Sequence, residues 1–114
     1  MKTINKDDRI SKEELKKMAK NMFGDLVKAV VDVKKEIVVV DAELHADQER
    51  ELLETGSKQE YLWGINLYPD EKDQSFIEFD SMINLRPSYG NRSRGVDDKN
   101  IQKRIIEIVN NLVE

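Results

Sequence analysis

The sequence predicts an α+β fold: a two-layer sandwich whose mainly antiparallel four-stranded sheet carries two long helices on one face, with one short helix. Three observations point there. Apolar residues recur at helical spacing near both ends: Leu15, Met18, Ala19, Met22 and Phe23, then Ile101, Ile105, Ile108, Val109 and Leu112. Valine-rich runs at 26–33 and 36–44 read as two strands of a hairpin. Runs at 61–68 and 75–85 read as a third and a fourth strand.

Each element has a local reason. Residues 1–10 are polar apart from Met1, Ile4 and Ile10, and read as a flexible segment ahead of a single domain at 11–114. Ser11 and Glu14 have capping-box spacing, and Ile10 and Leu15 flank them as a hydrophobic staple. A helix at 12–23 follows, stopped by Gly24. Lys34 and Lys35 form the hairpin turn, although the favoured Asn-Gly pair is missing. ADQERELLETG, at 46–56, reads as the short helix. Pro69 and Asp70 close the third strand, and 87–98 is a loop bearing glycine and serine.

Composition narrows the function classes. A chain of 114 residues fits one core. Without cysteine there is no disulfide framework, thiolate metal site or cysteine nucleophile, which suits a cytoplasmic setting. The start, MKTINKDDRI, lacks the apolar core of a signal peptide, and no stretch is long enough to span a bilayer. A net charge of -4 argues against nucleic-acid binding through bulk charge.

The stretch 78–98, EFDSMINLRPSYGNRSRGVDD, stands apart. It sets Arg86, Arg92 and Arg94 among Glu78, Asp80, Asp97 and Asp98. Arginine's planar fork matches carboxylates and phosphates, so the stretch is either an anion site or a structural ion-pair network. In a regular fourth strand, Glu78, Asp80, Asn84 and Arg86 share one face, opposite Ile77, Phe79, Ile83 and Leu85. With the helices on the other side, Glu43, His45 and Asn66 collect on that same open face. Solvated strand charges or an Arg–carboxylate pair would give the same pattern. The loop GNRSRG, at 90–95, offers backbone N–H groups and guanidinium donors together. Its alternative role is to anchor itself. His45, the lone histidine, lies between Glu43 and Asp47 in a pattern that could hold a divalent metal, or His45 or Asp47 simply caps the short helix. Trp63, with Tyr61 and Tyr68, reads as packing rather than ligand stacking. No P-loop, dinucleotide fingerprint, nucleophile elbow or H-E-x-x-H is present, so the cofactor is undefined.

The segments FGDLVKAVVDV (23–33), AELHADQE (42–49), LWGINLYP (62–69) and IEFDSMINLRPSYGNRSRGVDD (77–98) together resemble a family of small uncharacterised prokaryotic proteins, known as a domain of unknown function. The resemblance implies no activity and assigns no site residue.

Three functions compete. The first is binding of a small anionic, phosphate-bearing ligand by Arg86, Asn91, Arg92 and Arg94, with Asn66, Glu78, Asp80 and Asn84 beside them. The second is an interaction protein, a homodimer or partner binder that uses the free sheet face. The third is a metal-assisted phosphoester hydrolase.

Overall fold

The computed structural model describes residues 1–114. Eight regular elements follow one another: β1 (Lys2–Ile4), α1 (Lys12–Asn21), β2 (Val27–Asp32), β3 (Ile37–Val40), α2 (His45–Glu54), β4 (Leu62–Leu67), β5 (Ile77–Glu78) and α3 (Lys99–Leu112). The strands form one open antiparallel sheet in the order β1-β3-β2-β4-β5. The α+β class holds, and the sheet has five strands rather than four. The extra strand comes from the segment expected to be flexible. Lys2 to Ile4 pair with Val40 to Val38 because Ile4 has a place in the core, where it is 1% exposed. Ile10 is tied separately: its N–H donates to the Leu112 carbonyl, and its own carbonyl accepts from Glu114, each at 2.9 Å.

The first helix forms half of the expected capping box, since the Glu14 carboxylate accepts from Lys2. The Ser11 hydroxyl accepts from the Glu14 N–H at 3.1 Å. The helix ends at Asn21, and Gly24, at φ 96°, donates to the Ala19 carbonyl. The hairpin between β2 and β3 closes without Asn-Gly because Asp32 replaces it. One Asp32 carboxylate oxygen accepts from the Lys34 and Lys35 N–H groups at 2.9 Å, and the other accepts from the Ser57 hydroxyl at 2.7 Å. Glu36 completes the turn at φ 59°.

Both faces of the sheet are covered. Helices α1 and α3 lay Leu15, Ala19, Ile105, Ile108, Val109 and Leu112 on one face, against Val27, Ala29, Val31, Val38, Val40, Trp63, Ile65 and Leu67. On the opposite face Leu52 of α2 packs with Val30, Val39 and Leu62, and Ile37 and Ile83 close the margin. The two-layer arrangement with a free polar face is therefore corrected to a sheet between helices. The reason lies in the strands themselves. Val30 and Val31, and Val38 to Val40, place apolar side chains on both faces, and each such face must be buried. Helix α2 also anchors by polarity: the buried Gln48 donates to the Lys28 carbonyl at 2.7 Å.

The second core is small, so each member matters. Leu52→Ala should cost about 2–5 kcal/mol in chemical denaturation, the range for a fully buried leucine. A cost below about 1 kcal/mol would mean that α2 does not cover this face.

Candidate functional site

Alternate residues of β4 direct their backbone groups toward the β5 margin, and β5 meets only Asn66 and Leu67. The strand expected at 75–85 is thus corrected to two residues. Beyond Glu78 the chain leaves the ladder. The Ser81 N–H donates to the Arg94 carbonyl, the Ser81 hydroxyl accepts from Ile83, and Met82–Asn84 turns into a 3-10 helix. Side chains then do what the strand would have done. Asn84 accepts from the Gly64 N–H at 2.8 Å and donates to the Gly64 carbonyl at 2.9 Å. Arg86 donates to the carbonyls of Leu62, at 2.8 Å, and of Gln59. Gly64 is needed here because an added Cβ would lie 2.5 Å from the Ser81 Cβ.

The loop after Arg86 folds on itself. Arg86 and Asn91 exchange backbone hydrogen bonds at 2.9 and 3.1 Å around the 3-10 turn Pro87–Tyr89. The Asn91 amide donates to the carbonyls of Asn84, Ser93 and Gly95, and its oxygen accepts from the Asp97 N–H. Asp97 accepts from the Ser93 hydroxyl at 2.5 Å and from the Arg92 N–H at 2.8 Å. These bonds, the hydroxyl foremost, hold its carboxyl below the usual carboxylate range. Arg94 pairs with Asp80 at 2.7 Å, with both side chains about half exposed.

Most of the expected site residues divide between two places; Asn84 is spent on the Gly64 backbone, and the exposed Arg92 joins neither, its backbone N–H donating to Asp97. Asn66, Glu78, Asp80 and Arg94 gather beside β5, where the Asn66 amide and the Tyr68 hydroxyl both donate to Glu78 at 2.9 and 3.0 Å. His45 stands nearby. Its Nε2 lies 2.7 Å from the Ile65 carbonyl, and since a carbonyl only accepts, that nitrogen carries the proton. Glu43 and Asp47 are exposed, and no group of three or more His, Asp or Glu side chains is placed to hold a metal ion. Arg86 and Asn91 belong to the second place.

That second place is a cavity of about 410 Å³ between the Arg86–Asn91 turn and the start of α3. Trp63 and Arg86 line it, with Tyr89 and Ile101 as further walls and Glu60 and Asp98 as its two carboxylates. The Arg86 guanidinium stacks on the Trp63 ring, 4.4 Å from its centre. Two of their donors, Arg86 Nε–H and Trp63 Nε1–H, are buried with no hydrogen-bond partner. The residues are 8% and 6% exposed. Arg86 makes no ion pair; Glu49 acts on it only at longer range, and burial pulls its pKa below the usual arginine value. A larger hollow of about 770 Å³ between Phe76, Phe79 and Ile106 contains no such unpaired donor in its lining. Sequence reasoning passed over Trp63, Glu60 and Asp98 as site residues. The available signal was Trp63 itself, since an indole N–H on the core face of a strand needs a partner.

Fold and cavity define a small α+β protein with a hollow lined by Trp63 and Arg86, and none of its helices is long and apolar enough to cross a membrane. The model of the family described as a protein of unknown function, DUF5674, matches residues 4–112, and the chain belongs to that family. Comparison with curated proteins and with solved structures finds no match.

Two tests follow from this geometry. Gly64→Ala should destabilise the protein by about 1–3 kcal/mol, because Ser81 and the segment behind it must move. Unchanged stability would show that this contact is loose. Burial, ahead of nearby Lys28 and Arg94, lowers the His45 pKa below 6.5, while the Ile65 carbonyl and Asp80 oppose the shift. The unfolded chain then binds more protons than the folded one as pH falls below 6.5, so stability drops through that window and levels off below the folded pKa. As the only histidine, His45 gives a single set of ring resonances to follow by NMR. Titration at or above 6.5 would contradict the burial argument.

Proposed function

We propose that this chain is a cytoplasmic binding protein for a small molecule bearing an oxyanion, held in the cavity between Trp63 and Arg86. One observation carries the reading: Trp63 and Arg86 both line one cavity, and each has a buried N–H donor, one of them on a guanidinium without an ion pair, that lacks an acceptor. Leaving such donors unpaired costs about 1–3 kcal/mol each. An oxyanion that accepts from both removes that cost and balances the buried charge. Asn91 positions the turn that forms the wall, through its bonds to Asn84, Ser93 and Gly95. Asn84 pairs with the Gly64 backbone beside the Leu62 carbonyl that Arg86 takes. In this reading Arg94, Asn66, Glu78 and Asp80 act outside the cavity, as a structural cluster at the β5 margin.

The lone tryptophan is the reporter. Acetate and inorganic phosphate, titrated separately, should move the single indole N–H resonance, with saturation for at least one. Trp63→Phe keeps the ring under Arg86 and removes the N–H, so binding should weaken by at least about tenfold, the value of a hydrogen bond to a charged group. No indole shift with either anion would mean that water satisfies both donors, and the proposal would fail.

A further inference from the structure

The remaining chemistry of the same cavity narrows what it takes. Resting on the oxyanion reading above, we propose that the ligand is a zwitterion, a carboxylate that also carries an ammonium group, of the size of an amino acid. Trp63 and Arg86 bring to the lining the guanidinium charge and two buried N–H donors without partners. Glu60 and Asp98 also line the cavity, and neither makes an ion pair. Asp98 uses one oxygen to cap α3, accepting from the Asn100 N–H at 2.8 Å, and its second oxygen has no protein donor within reach.

One cation facing two carboxylates makes the cavity a poor host for a multiply charged anion. Phosphate or a dicarboxylate would gain at Arg86 and lose at Glu60 and Asp98. A ligand with one negative and one positive end meets complementary charge at both. Its carboxylate accepts from Arg86 and Trp63, and its ammonium donates to Glu60 and Asp98. Ile101 and Tyr89 leave an apolar wall for a side chain, and about 410 Å³ accommodates a molecule of that size.

The test compares L-leucine with 4-methylpentanoate, which has the same carbon frame without the ammonium, and with inorganic phosphate. Each is titrated into the intact protein while the Trp63 indole resonance is followed. L-leucine should bind about fivefold or more tighter than 4-methylpentanoate, the value of one or two partly exposed charge pairs. Glu60→Gln with Asp98→Asn, which keeps a capping side chain on α3, should erase that preference and raise the affinity for phosphate. Equal binding of the two carbon-matched ligands, or phosphate binding tightest to the unaltered protein, would overturn the zwitterion and leave the oxyanion site standing. No shift with any of the three would overturn both.

Discussion

The outer margin of β4 is the constraint from which this half of the molecule follows. A buried strand edge must find partners for every N–H and C=O it presents. Here the neighbouring strand supplies them only at Asn66 and Leu67. For the rest of the margin, the Asn84 amide pairs with both backbone groups of Gly64 and the Arg86 fork takes the carbonyl of Leu62 and, in the turn before the strand, that of Gln59. This solution fixes the irregular path of 79–91, requires a glycine at position 64 and draws a guanidinium into the interior. It also leaves something over. Arginine has more donors than the edge has acceptors, and the Nε–H is left buried without a partner, on a guanidinium that lies over the indole ring.

Much of the fold was legible because local rules decided it. Ser11 and Glu14 announced the first helix, and the spacing of Ile101, Ile105, Ile108 and Leu112 announced the last. Lys2–Ile4 was not legible, since three residues among charges carry no periodicity; Ile4 becomes a strand residue only because β3 offers an edge. The cover over the second face was written in Val30 and Val39, but a reading that set both long helices on one side and left the other face open had no use for them. The fourth strand failed for a different reason. The alternation of Ile77, Phe79, Ile83 and Leu85 imitates a strand, while the 3-10 turn at Met82–Asn84 breaks the register between its halves.

The candidate site was legible as a region and not as an arrangement. The sequence placed the unusual chemistry in 78–98, and Arg86 and Asn91 do line the cavity. Asp98, at the end of that stretch, lines it too, while Glu60 and Trp63 come from the turn before β4 and from β4 itself. Nothing in their spacing relates them. What joins them is the detour of the chain around β4, a tertiary effect with no local signature.

The short margins of the sheet bear on how this protein meets other copies of itself. Sheet proteins commonly fail by strand addition, in which an exposed edge templates a foreign strand toward fibrils or swapped dimers. Here one outermost strand has three residues and begins with Lys2, which is held to Glu14, and the other has two. Between Leu62 and Gly64, where β4 would otherwise lie open, side chains already occupy the backbone acceptors. No run of free ladder positions is long enough to nucleate a cross-β contact. The side chains that hold Arg86 and Asn84 in place therefore serve a second end, as guards against aggregation.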